Sequence, residues 1–162
     1  MIRVIGIDPG LNVTGWGVIE VDSNRCSHIA HGVIRTKPAT PLASRLLAIK
    51  EGIREACSSW HGETGAIERS FVGSNASSAM SLGHARAAAI LGLAESGIPV
   101  DEYSPNLVKQ TVSGYGHSDK AQVALMVRLQ LELESDPKPA DAADALAVAL
   151  THWARTRFGQ PG

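Results

Sequence analysis

The chain reads as one α/β domain, a mixed sheet that is antiparallel at one edge and parallel elsewhere, with helices on both faces. Two observations carry that reading. Three β-rich segments open the chain, joined by connections short enough for an antiparallel meander. Strands and helical segments then alternate, and helical segments close the chain, giving the order β-β-β-α-β-α-β-α-α-α. A length of 162 residues suits a single domain, taken here as residues 1–158, with a frayed tail at 159–162.

Each element has a local cause. Residues 2–7 are β-rich and stop at Asp8-Pro9-Gly10, a turn sequence. A second strand spans 14–21, with Gly15 and Gly17 inside it, and a third spans 28–36. Thr40-Pro41 opens a helix to about residue 59, in which Leu42, Leu46, Ile49, Ile53 and Ala56 recur at three and four residues. A short strand follows at 65–68. Asn75, whose side chain suits free N–H groups, caps a long helix to about residue 96. Residues 99–103 form another strand and 104–113 a short helix. The loop Ser113-Gly114-Tyr115-Gly116-His117 is flexible by composition. Ser118 caps a helix to about residue 134, and Asp136-Pro137-Lys138-Pro139 leads into the last helix, read over 139–150. Trp153 and Phe158 pack the last helix on the sheet.

That last helix carries acid in apolar company. Between Ala140 and Leu150 only Asp141 and Asp144 are not apolar, and a spacing of three puts them on one helix face. Two like charges among apolar neighbours need a compensating cation, a helix N-terminus or a metal ion. Pro139 at the first helical position makes dipole capping an adequate account of Asp141 and a poorer one of Asp144. Two more acids end apolar strands: Asp8 after Val4-Ile5-Gly6-Ile7, and Glu68 after Gly65-Ala66-Ile67. Strand carboxyl ends are where open α/β sheets bind ligands. Read singly, Asp8 is also a turn residue and Glu68 a solvated strand end. Read together, four carboxylates without clustered basic residues point to a hard divalent cation, Mg²⁺ first and Mn²⁺ as its substitute. Four acids suffice for two ions, the arrangement that clamps the attacking and leaving oxygens of a phosphodiester.

Composition narrows the class. The hydrophobic fraction of 44% supports a substantial core. Cys26 and Cys57 have no metal or redox spacing, and the six histidines, His117 and His152 among them, form no ligand pattern. No signal segment or membrane span is evident, so a soluble cytoplasmic protein without membrane contact is expected. The net charge of −1 is not that of a typical nucleic-acid binder. Two bound divalent cations would bring it to +3, and bound ions are often the largest charges in a site.

The motif set resembles the RuvC family of bacterial Holliday junction resolvases. The residues that carry the resemblance are Ile5-Gly6-Ile7-Asp8-Pro9-Gly10, Thr14-Gly15-Trp16-Gly17, Ala66-Ile67-Glu68, Asn75-Ala76-Ser77-Ser78-Ala79 and Gly83-His84-Ala85-Arg86. Val108-Lys109-Gln110, Gly114-Tyr115-Gly116, Asp119-Lys120-Ala121-Gln122-Val123 and Asp141-Ala142-Ala143-Asp144-Ala145-Leu146 continue it, in the family's order along nearly the whole chain. The resemblance implies a ribonuclease-H-like fold and a homodimer acting on a four-way DNA junction. It implies Asp8, Glu68, Asp141 and Asp144 as catalytic, metal-binding carboxylates, symmetric nicks with 5′-phosphate ends, and the branch-migration proteins RuvA and RuvB as partners.

Lys109 and Lys120 fall on the family's basic positions and suit phosphate contacts, each a point charge on a phosphate oxygen. Lys109 also reads as an ordinary solvated helix lysine. Lys120, two residues after Ser118, opposes its helix dipole, which favours a ligand outside the helix. Phe71, in the loop after Glu68, either stacks on an unpaired base, worth about 1–3 kcal/mol, or anchors the loop in the core. Arg69-Ser70 departs from the family's amide and small apolar residue, and Arg69 is a candidate phosphate contact. Small residues at Ala76, Ala79, Gly83 and Ala87 let another element approach closely, either a second copy of the chain or its own sheet. Three rival readings remain: a ribonuclease-H-like nuclease acting on RNA or RNA–DNA hybrids, a non-catalytic junction-binding module, and a nucleotide-binding protein of the sugar-kinase and actin type. The chain is short for the third and lacks its second Gly-rich phosphate loop.

Overall fold

Alternation along the strands decides which side chains face which helices, and it sets both acids on one side. The computed structural model describes residues 1–69 and 75–157. Strand β1 (Ile2–Asp8) pairs antiparallel with β2 (Val13–Val21), which pairs antiparallel with β3 (Cys26–Arg35). On its other side β1 pairs parallel with β4 (Thr64–Glu68), and β4 parallel with β5 (Val100–Tyr103). The sheet order is β3-β2-β1-β4-β5, the expected meander joined to parallel strands.

Helices α1 (Leu42–Trp60) and α2 (Ala76–Glu95) cover one face, where Ile5, Ile7, Val18 and Ile67 meet Ile49, Ile53, Ala89 and Leu93. Helices α3 (Pro105–Ser113), α4 (Lys120–Gln130) and α5 (Ala140–Arg157) cover the other, against Val4, Ile19, Ala66 and Tyr103. Val4 and Ala66 face α5, so the two-residue period turns Asp8 and Glu68 the same way.

The bed under α5 is cleared by glycine. A Cβ at Gly6 would lie 2.2 Å from the Ala145 carbonyl oxygen, and one at Gly15 would lie 2.0 Å from that of Asp141. Gly6 pairs with Gly17, and Asp8 with Gly15. The close approach buries a continuous Ala142–Leu150 stretch broken only at Asp144, which reaches the cleft described below. Trp153 packs on this core and donates from Nε1 to the Asp22 carbonyl at 2.8 Å. Phe158 and the tail lie outside the described residues, as does Phe71.

Several boundaries differ from expectation for local reasons. The cap of α4 is Asp119, not Ser118: Asp119 accepts from the Gln122 N–H at 2.8 Å and Gln122 Oε1 accepts from the Asp119 N–H at 3.0 Å, a reciprocal capping box. Ser118 instead donates to the Tyr115 carbonyl and pairs with the Ser113 hydroxyl, tying down a loop whose composition reads as flexible. The helix stops at Gln130 rather than near 134, and two residues later Glu132 takes a left-handed φ of 53°. Helix α5 continues to Arg157, well past 150. Asn75 caps α2 as expected, accepting from the Ser78 N–H. The small residues Ala76, Gly83 and Ala87 are exposed, while Ala85, Ala88, Ala89, Gly92 and Leu93 pack inward, so the stripe does not serve the chain's own sheet. Among the described residues no helix is long and apolar enough to cross a membrane.

Candidate active site

Asp8, Glu68 and Asp144 line one cleft of about 220 Å³ together with Lys109 and Lys120. Three elements deliver the acids: β1 and β4 at their parallel carboxyl ends, and α5 crossing over them. Asp141 is not among the cleft's lining residues. It sits in the first turn of α5, and its charge acts on Asp8, Asp144 and Lys120. Its backbone carbonyl lies over Gly15. The capping and cleft readings of Asp141 are therefore compatible.

The electrostatics are those of crowded, half-buried carboxylates. Burial pushes Asp8 up to about 8, with further pushes from Asp144, Glu68 and Asp141. Burial and then Asp144 raise Glu68, opposed by Lys109 and Lys120. Burial also raises Asp144, opposed chiefly by Lys120, whose Nζ lies 3.4 Å from Asp144 Oδ2. The attraction of Asp144 in turn raises Lys120. Lys120 opens α4, so the anion outside its helix is here Asp144 itself. Its side chain is 79% exposed and reaches Asp144 from the cleft rim.

Among the described residues no three His, Cys, Asp or Glu side chains close around a single point. The donor set is nonetheless all carboxylate oxygen, and burial with three neighbouring acids makes ionised Asp8 costly unless a cation is beside it. That chemistry fits hard divalent ions and fits no thiolate or imidazole metal.

Of the other expected contacts, Lys109 lines the cleft and Arg69 does not. Arg69 Nε stands 3.9 Å from Glu102 Oε2, and its backbone N–H donates to the Tyr103 carbonyl at 2.7 Å. A residue without a role in the sequence reading is Arg86. From α2 it pairs with Glu102 and donates from Nε to the Glu68 carbonyl at 3.3 Å, holding the end of β4 where Glu68 projects. Its spacing from Glu68 follows no local period, so sequence alone has no signal for the contact.

The mixed sheet, with acids at two adjoining strand ends and on the helix crossing them, defines a ribonuclease-H-like nuclease fold. Residues 4–152 match the family model for crossover junction endodeoxyribonuclease RuvC, and the chain belongs to that family. It is 47% identical over 151 residues to the crossover junction endodeoxyribonuclease RuvC of Rhodopseudomonas palustris (strain TIE-1), covering 93% of this chain and 86% of that one. The structure of Thermus thermophilus RuvC superposes with a TM-score of 0.90 at 36% identity, covering 99% of this chain and 98% of that one. The same protein in complex with Holliday junction substrate superposes with a TM-score of 0.93 over the same shares.

Proposed function

We propose that this chain is a metal-dependent endonuclease that resolves four-way DNA junctions by symmetric phosphodiester hydrolysis in recombination and repair. The observation that carries the reading is Asp8, a carboxylate held near the surface of a cleft by a glycine-lined strand pair and crowded by three other acids. Asp8, Glu68, Asp141 and Asp144 would hold two Mg²⁺ ions, with Mn²⁺ as a substitute. When bound, such ions supply a water of lowered pKa and charge stabilisation at the leaving 3′ oxygen. The chain itself supplies position and charge. The rigid α5 fixes the carboxylates, Lys109 and Lys120 neutralise phosphate oxygens at the cleft mouth, and no protein nucleophile is needed. Phe71 is the proposed base-stacking residue and Arg69 a proposed phosphate contact.

The proposed assembly is a homodimer meeting over α1 and α2. Leu47, Met80 and Leu91 are 55%, 64% and 55% exposed there, and Leu47 and Leu91 line an apolar groove of about 270 Å³ with His84 and Ala87. Branch-migration proteins of the RuvA and RuvB type and a cytoplasmic site of action belong to the same proposal.

The test is cleavage of a labelled four-way junction in Mg²⁺ beside linear duplex and an RNA–DNA hybrid. The junction alone should be nicked, symmetrically and with ligatable ends. Asp8→Asn should lower the rate by about two to three orders of magnitude and keep junction binding. Preferential cutting of the hybrid, or near wild-type cutting by Asp8→Asn, would overturn the assignment.

A further inference from the structure

Beyond the turn that follows β1, a buried cation stands without an anion. Arg45, in the first turns of α1, is 8% exposed. Its Nε donates to Thr36 Oγ1 at 2.8 Å and its Nη2 to Asn12 Oδ1 at 2.6 Å. Both partners are neutral, and among the described residues no carboxylate forms an ion pair with it. Those two bonds leave most of the guanidinium's five N–H donors for something else. A buried charge is ordinarily paired, and a cation near a helix N-terminus also opposes the dipole, so this placement carries a cost that an anion would offset.

Arg45 lines an open groove of about 460 Å³. Gly10 lies on one side of it, and Ser77, Ser78 and Ser81 of α2 lie on the other. Helix α2 runs for 20 residues; its cap is the neutral Asn75, which takes the Ser78 N–H, and its first turn holds no acid, so no charge within the helix offsets its positive end. Guanidinium, serine hydroxyls and a helix N-terminus are donors to a tetrahedral oxyanion. Gly10 is two residues past Asp8, and α2 follows Glu68 in the chain, so the groove opens at the same end of the sheet as the cleft.

We propose that the Arg45 groove is a second phosphate subsite, which takes a backbone phosphate of the DNA strand beyond the one being cut. The proposal rests on the DNA-cleaving reading above and adds a binding residue outside the cleft. Arg45 also pins the turn after β1, since Thr36 in turn donates to the Leu11 carbonyl and its N–H to that of Asn12. The two roles differ in charge dependence. A pin is indifferent to salt, whereas each phosphate contact adds about 0.9 to the slope of log affinity against log salt.

The experiment is equilibrium binding of a fluorescent four-way junction to the full chain across a salt series in chelator, with a melting curve for each variant. Arg45→Met should weaken binding and flatten the slope by about one, and Arg45→Lys should keep most of the slope. Ser77→Asp leaves the Thr36 and Asn12 bonds intact, adds an acid favourable to α2, and sets a carboxylate beside the Arg45 charge. It should hold or raise the melting temperature while flattening the slope by about one. Ser77→Asp decides the matter even if Arg45→Met fails to fold. An unchanged slope in Ser77→Asp, or in a folded Arg45→Met, would leave Arg45 a structural pin and overturn the subsite. A wild-type chain that does not bind the junction would overturn the DNA reading itself, and the subsite with it.

Discussion

Asp8 shows how a single residue stores the requirement for a cofactor. Held at about 8 by burial and three acids, it makes the metal-free cleft electrostatically unfavourable. Cation binding to the folded state alone should therefore stabilise by mass action, about 2.7 kcal/mol at a hundred times Kd, or roughly 5–11 °C in Tm for a chain of this size. Melting curves across millimolar Mg²⁺ read this directly, and a flat response would argue against a carboxylate metal site. His152 gives a second prediction, far from the cleft. It is buried between Thr64 Oγ1 and the Tyr103 hydroxyl, each at 2.9 Å, with Asp101 at 3.6 Å. Burial lowers it below its ordinary value despite the attraction of Asp101. The folded chain thus holds fewer protons than the unfolded chain near and below pH 6.5. The stability that neutral His152 contributes is complete above that pH and lost as the pH falls. The Tm difference between wild type and His152→Asn should shrink from pH 7.5 to pH 5. A difference that grows on acidification would contradict the assignment.

At the scale of elements, the site depends on how near α5 comes to β1 and β2. Apolar strand runs and the Ala-rich helix are plain in the sequence, and strand alternation places Asp8 and Glu68 on one face. Gly15 and Gly17 stand out in a strand, but only the contact with α5 explains them: the Asp141 carbonyl occupies the space a side chain would need at Gly15. Gly15→Ala must push backbone against backbone and should cost about 1–3 kcal/mol while displacing Asp141. Circular dichroism melting and the junction-cleavage rate should fall together. A fully active, equally stable variant would mean that α5 does not need this approach. The start of α4 is ambiguous in the sequence because two capping residues compete there. Ser118 and Asp119 are adjacent, and the reciprocal bond to Gln122 favours Asp119.

For the whole molecule, the exposed face of α1 and α2 carries three large apolar side chains open to solvent, Leu47, Met80 and Leu91. A charge there does not disturb the core, so Leu91→Glu should keep the native circular dichroism spectrum and cooperative melting while converting a dimer to a monomer in light scattering, with Tm falling only by the lost subunit linkage. Resolution of a junction into two symmetric nicks should then fail, while isolated single nicks persist at a lower rate. A variant that remains dimeric would move the interface elsewhere. The net charge of −1, misleading for a DNA enzyme, is reconciled by the proposed cation load and by local placement: Lys109 and Lys120 gather at the cleft and Arg45 lines a separate groove.

The sequence by itself determined the sheet type and singled out Asp8, Glu68 and Asp144, which the fold gathers at one cleft, because hydrophobic period and strand-end position are local properties. The family resemblance was equally legible, since it lives in short ordered motifs. Only the tertiary structure decided that Lys120 neutralises Asp144, that Arg86 holds the end of β4, and that Arg45 is buried without a carboxylate. Those facts join residues tens of positions apart, and what a charge does depends on its distance from others, which the chain acquires only when α2 and α5 close on the sheet.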